Sequence, residues 1–135
     1  DNNDNNNEAP AKDSFSATIN GSELSGYYIS VYKFGNRIVV SGTSNTSFLD
    51  FTIKSELSPG TYTSDNVENG LELGYTKVDG TSLESWSSLV GGSVSATITK
   101  SNSKVLEGTF SGTVVREGSG KSSITNGKFY LNLPK

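Results

Sequence analysis

The side chains able to do chemistry in this sequence are few in kind. The 135 residues include no His, no Cys and no Met. Without His, the commonest general base and transition-metal ligand is missing. Without Cys, there is no thiolate nucleophile, disulfide or thiolate-held metal. Carboxylates, ammonium groups, hydroxyls, amides and aromatic rings remain, with six Tyr, six Phe and one Trp.

Several short patterns resemble sites and fail on context. Gly118-Ser119-Gly120-Lys121-Ser122 ends like a phosphate-binding loop, but that motif needs a Gly where Val115 stands and a helix behind it, whereas a strand pattern follows. Ser101-Asn102-Ser103-Lys104 and Ser30-Val31-Tyr32-Lys33 have the Ser-x-x-Lys spacing of some acyl enzymes. That chemistry requires both side chains on one helical turn, and these segments read as a turn and a strand. Asp50, Asp65, Glu72, Glu84 and Glu107 could supply the carboxylate pair of a glycoside hydrolase, yet no spacing marks a pair. Asp65, Asn66, Glu68 and Asn69 gather oxygen ligands without the spacing of a calcium loop, and a polar turn is the plainer reading. Asn20-Gly21-Ser22 and Asn45-Thr46-Ser47 match glycosylation sequons at a frequency expected in so Asn-, Ser- and Thr-rich a chain. No catalytic residue, metal ligand or cofactor is expected, and the chain reads as a non-enzyme.

The aromatic residues say more. Tyr28, Tyr32 and Phe34 share one face of a strand whose other face carries Ile29 and Val31. Either the Tyr face is covered by the segment 79–92, or it is an exposed platform. Trp86 and Tyr130 can join such a platform. The candidate ligand-binding residues are therefore Tyr28, Tyr32, Trp86 and Tyr130, suited to stacking on sugar rings or on protein, with part-buried packing as the plainer alternative.

The elements behind these residues are strands. From Ser14 onward the hydrophobic period is two. Phe15, Ala17 and Ile19 alternate with polar residues up to the Asn20-Gly21 turn. Residues 27–34 and 37–43 flank Gly35-Asn36, a two-residue link of the type II′ hairpin kind. Leu49, Phe51 and Ile53 share a face, as do Leu71, Leu73 and Tyr75, then Val94, Ala96 and Ile98. Residues 105–117 form the longest strand candidate, with Leu106, Phe110 and Val114 inward. Gly108 and Gly112 on that same face point to a bulge or a close approach. Phe129, Leu131 and Leu133 face inward in the last strand. Residues 79–92 have no readable period. About nine strands without a helix predict an all-β antiparallel sandwich, with a partly closed up-and-down barrel as the alternative.

Charge and composition divide the chain into a tether over 1–13 and an antiparallel β domain over 14–135. Residues 1–13 carry a charge of −3 and no apolar period, the pattern of a solvated tether. The remainder has ten acids and ten bases, so nothing in it forms the basic footprint of a nucleic-acid binder. No apolar run approaches the ~20 residues of a membrane helix, so any membrane attachment must lie before Asp1. The missing Met at residue 1 is read as the start of a processed or excerpted chain.

The strand motifs also occur in a recognisable order. Phe15-Ser16-Ala17-Thr18-Ile19-Asn20-Gly21, Pro59-Gly60-Thr61-Tyr62-Thr63, Thr97-Ile98-Thr99-Lys100, Gly108-Thr109-Phe110-Ser111 and Ile124-Thr125-Asn126-Gly127-Lys128-Phe129 follow one another. The series resembles a family of small Bacteroidetes lipoproteins built on a single all-β domain of unknown function, over roughly residues 14–133. The resemblance implies a lipid anchor ahead of a polar spacer and a place in the cell envelope, at the outer membrane on its surface or periplasmic side. It carries over no catalytic residue. The function expected is that of a binding or structural module for a glycan or protein ligand. The alternatives are a barrel holding a small apolar ligand and a hydrolase built on carboxylates.

Overall fold

In the computed structural model, which describes residues 11–24, 28–44 and 46–134, eleven strands follow one another. They are β1 (Ser14–Ile19), β2 (Ser22–Leu24), β3 (Tyr28–Phe34), β4 (Arg37–Thr43), β5 (Ser47–Lys54), β6 (Gly60–Thr63), β7 (Glu72–Asp79), β8 (Ser82–Ser87), β9 (Ser93–Ser101), β10 (Val105–Arg116) and β11 (Gly120–Asn132). Single 3-10 turns at Val67–Asn69 and Ser88–Val90 are the only helical pieces among the described residues.

All pairings are antiparallel, and the sheet forks at β10. Its residues Leu106–Thr113 pair with β9, while Val115, near its end, pairs with Ser87 of β8. One leaf therefore runs β2-β1-β11-β10-β9-β6 and the other β8-β7-β5-β4-β3. The period-two alternation aims one face of each leaf at the other. Phe51 of β5 stacks on Phe110 of β10 at 4.7 Å between ring centroids and leans on Phe129 of β11 at 5.2 Å. Ile38, Val40, Leu49, Ile53, Leu73, Ile98, Val114, Ile124 and Leu131 complete an interior in which each is at most 2% exposed. β2 and β3, the two ends of the strand path, do not pair with each other. The sheet is thus folded into a sandwich and is not closed, so the barrel alternative falls, and with it a ligand held in a closed barrel.

Local chemistry sets the turns. Ile19 faces Ser22 across Asn20 and Gly21, whose φ values of 50° and 87° meet the double positive φ of a type I′ turn. Phe34 faces Arg37 across Gly35-Asn36, where Gly35 (φ 61°) is in the left-handed region and Asn36 is not, as type II′ requires. Within β11 the register against both β1 and β10 slips at Asn126 (φ 52°), a β-bulge. Just beyond it the Phe110 ring lies over Gly127, where a Cβ would come within 2.6 Å of ring carbons. Gly108 likewise lies against the Thr97 carbonyl and the Phe129 ring, the close approach expected of a strand glycine.

Two strands were invisible to the pattern. β2 has only three residues. β8 occupies the segment without a period because Leu83 and Trp86, three apart, point to opposite faces, leaving Leu83 64% exposed. The tether expected over 1–13 falls mainly on 1–10, outside the described residues. Asn132 Nδ2 donates to the Ala11 carbonyl at 2.7 Å, and the Asn132 N–H donates to Asp13 Oδ1 at 2.7 Å, so the chain enters β1 fastened to the end of β11.

Candidate functional site

The outer face of the β3-β4-β5-β7-β8 leaf carries the most chemistry. Register builds it in rows of cross-strand neighbours. Tyr28, Thr43, Phe48, Thr76 and Ser85 form one row. Ser30, Ser41, Asp50, Gly74 and Ser87 form the next, followed by Tyr32, Val39, Thr52 and Glu72. Phe34, Arg37 and Lys54 close it. β3 is the edge of the leaf, so its rings have a neighbour on one side alone. Tyr28 is 86% exposed, Phe34 73% and Tyr32 49%.

Beside Tyr32 lies a groove of about 410 Å³ lined by Val39, Ser41, Asp50, Thr52, Glu72, Gly74 and Ser87 among others. Gly74 directly opposes Asp50 and, having no side chain, leaves the space above it open. The two carboxylates are held in place. Ser41 Oγ donates to Asp50 Oδ1 at 2.7 Å, and Arg37 Nη1 pairs with Glu72 Oε2 at 2.7 Å. Each retains a second oxygen and further lone pairs. A ring face, two oriented carboxylates and three hydroxyls around a shallow trough can stack on and hydrogen-bond to a flat, hydroxylated ligand.

The structure does not bring the four candidate ligand-binding residues into one surface. Tyr28 and Tyr32 share the outer face of β3. Trp86 points the other way, inward, part-buried against the core beside Tyr75 at 5.5 Å between ring centroids. The Arg116 guanidinium sits 5.8 Å from the Trp86 ring centroid and pairs with Glu84 at 2.9 Å. This stack lies at the fork, where Ser87 meets Val115, and clips the two leaves together. Tyr130 lies on the outer face of the opposite leaf, between Ser14 and Glu107. The segment 79–92 does not cover the Tyr face of β3. Sequence reasoning placed Asp50 and Glu72 among the acids of polar strand faces but could not join them to Tyr32. That juxtaposition depends on the β5–β7 pairing, whose partners are separated by the long connection through β6.

The other motifs resolve into local structure. Gly118-Ser119-Gly120 is the β10–β11 turn, and Ser122 is buried, accepting from Asn20 Nδ2 at 3.1 Å. Asn102 Oδ1 accepts from the backbone N–H groups of Lys104 and Val105, fixing residues 101–104 as a turn. Asn66 Oδ1 caps the Val67–Asn69 turn through the Glu68 N–H, and Asn69 Nδ2 donates to the Thr63 carbonyl. Among the described residues no group of three or more His, Cys, Asp or Glu is placed to hold a metal ion. No described helix is long and apolar enough to cross a membrane.

The fold and its outer groove define an antiparallel all-β sandwich domain whose most exposed aromatic rings, Tyr28, Tyr32 and Phe34, lie on one leaf. The family of the domain of unknown function DUF6252 matches residues 11–133, and the chain belongs to that family. The comparisons with curated proteins and with solved structures gave no match.

Proposed function

We propose that the domain is a non-enzymatic glycan-binding module, with its site on the outer face of β3, β4, β5 and β7. The observation that carries this reading is the half-exposed Tyr32 ring beside a groove where Ser41 and Arg37 orient the carboxylates of Asp50 and Glu72. A sugar ring offers a C–H face to an aromatic ring and hydroxyls to carboxylates, and this trough meets both needs at once. Tyr28, in the same strand and face, extends the surface for a longer oligosaccharide. A protein ligand is the competing partner for the same rings.

The module is proposed to work in the cell envelope, at the surface or periplasmic side of an outer membrane, held by a lipid anchor ahead of Asp1. The support is the Asn- and Asp-rich composition of residues 1–13 and the ordered motifs that resemble Bacteroidetes lipoproteins. A fatty-acid label supplied to cells making the full-length precursor is expected in the protein band, and an unlabelled band removes the anchor.

A glycan array followed by NMR titration tests the site. Binding is expected to shift the resonances of Tyr32, Ser41 and Gly74, and Tyr32→Ala is expected to weaken it roughly tenfold. No ligand across the array, or binding that Tyr32→Ala leaves unchanged, ends the proposal. Release of reducing ends from a bound glycan would make the Asp50 and Glu72 carboxylates catalytic and overturn the non-enzymatic part alone. Trp86 fluorescence is not expected to report this binding directly, because that ring is on the opposite face of its leaf.

A further inference from the structure

A second opening lies at the end of the sandwich where β11 finishes. It is a cleft of about 460 Å³, within the ~300–1,000 Å³ range of small-molecule sites. Its floor is apolar. Ile38 and Leu106 belong to the core, and Leu57 and Leu133 are part-buried against it. Its rim is polar, with hydroxyls from Ser58, Ser101 and Ser103 and one residue of each charge, Lys33 and Glu56.

The walls are preformed. Ser55 donates twice to the Asn36 carbonyl, from its N–H at 2.8 Å and its hydroxyl at 3.0 Å. The Tyr62 hydroxyl donates to the Ser58 carbonyl at 2.6 Å. Across the opening, the Leu133 N–H donates to the Lys104 carbonyl at 2.8 Å, and Asn102 fixes its own turn. Glu56 is held at φ 67°, a left-handed conformation that non-glycine residues rarely adopt. The chain tolerates this at the rim, where the side chain is exposed.

Among the described residues the ion pairs are Arg37–Glu72 and Arg116–Glu84. Among the described residues, Lys33 and Glu56 therefore reach the same cleft without an ionic partner and without pairing to each other. A ligand that satisfies both carries one positive and one negative end around an apolar body. We propose that this cleft binds a short apolar peptide with free termini, its carboxylate at Lys33, its ammonium at Glu56 and its side chains on Ile38, Leu57, Leu106 and Leu133. The site is separate from the proposed glycan surface.

The probe is tri-leucine, titrated into the full chain and followed by NMR. Saturable shifts are expected at residues 55–59, 101–103 and 133. Amidating the peptide's carboxylate and acetylating its amine are each expected to weaken binding about fivefold, the scale of an exposed ion pair. Lys33→Gln is expected to abolish the penalty for the amide alone, and Glu56→Gln the penalty for the acetyl group alone. Tyr32→Ala is expected to leave the affinities for tri-leucine and its two modified forms unchanged, so failure here and failure of the glycan reading are distinguishable. Absence of saturation overturns the proposal. So does decanoate binding as tightly as tri-leucine, because an acyl carboxylate is then sufficient, and so do variants that fail to separate the two ends.

Discussion

The two leaves share one core and one strand alternation, yet their wet faces differ in kind. The outer face of the β1-β11-β10-β9 leaf is made of Ser16, Thr18, Thr97, Thr109, Ser111, Thr125 and Lys128, with Tyr130 as its one large ring among the described residues. Thr61 and Thr97 even bond hydroxyl to hydroxyl across β6 and β9 at 3.0 Å. The outer face of the β3-β4-β5-β7 leaf presents Tyr28, Tyr32, Phe34 and Phe48 in the equivalent positions. Hydroxyl-bearing β-branched residues are sufficient to keep a sheet face both wet and strand-competent. The rings on the second leaf exceed that need. Exposed apolar rings on an edge strand also carry a cost, because an unpaired strand edge invites association with other chains. The proposed recognition site on the second leaf rests on that difference more than on any single residue.

The comparison presumes that both faces rest on one cooperative core, and the largest expected effect tests that. Phe51 is fully buried and touches rings from the opposite leaf on two strands. Phe51→Ala is expected to cost about 3–5 kcal/mol in chemical denaturation, with one transition reported alike by tyrosine fluorescence and circular dichroism. Two separated transitions would mean that the leaves fold as independent units.

A smaller effect is expected on the bland leaf. Gly127 sits beneath the Phe110 ring beside the Asn126 bulge. Gly127→Ala must displace a ring that itself contacts Phe51, at roughly 1–3 kcal/mol. The same substitution at Gly74, where the nearest atom to a Cβ would be Asp50 Oδ2 at 3.9 Å, is expected to be nearly neutral for folding and to obstruct the groove. Similar stability losses at both positions would erase the proposed division between a glycine that packs and a glycine that leaves room.

How much of this was legible in the sequence depended on distance along the chain. Where two alternating segments flank a tight turn, residue types placed the pieces: Gly35-Asn36 and the inward sets around Phe51 and Phe110 lie where the alternation put them, whereas β2 and β8, joined to β1 and β7 by turns just as tight, carry no alternation and stayed hidden. Pairings between remote segments were not legible, since strand alternation says which face a residue takes and nothing about which strand lies alongside. For that reason Trp86 was grouped with Tyr28 and Tyr32. Its segment has no period to reveal that the ring turns inward to Tyr75 and Arg116. For the same reason Asp50 and Glu72 appeared as scattered surface acids until the β5–β7 register placed them in one trough.

Arg37 separates orientation from stability. Its ion pair with Glu72 joins side chains that are 41% and 33% exposed, so solvent screens it and the expected stability loss in Arg37→Ala is about 0–1 kcal/mol. Glycan affinity is expected to fall by a larger factor than that loss implies, because Glu72 is freed to rotate out of the groove. Equal losses in folding and in binding would reduce the pair to a structural contact.

The smallest expected stability effect is the most telling about the two faces. Tyr28 and Phe34 project from the β3 edge with little of their surface covered, so replacing both with Ser removes almost no burial. The double variant Tyr28→Ser, Phe34→Ser is expected to unfold within about 0.5 kcal/mol of the parent, since surface changes away from caps and cores rarely exceed that. It would make the second leaf resemble the first in composition while leaving the Tyr32 groove in place. Affinity for a single sugar ring should then persist and affinity for an extended oligosaccharide should fall, which a chain-length series in the NMR titration reads directly. A stability loss well above 1 kcal/mol would instead show that these rings pack in solution against something on the β3 edge. The contrast between the leaves would then stem from folding and not from recognition.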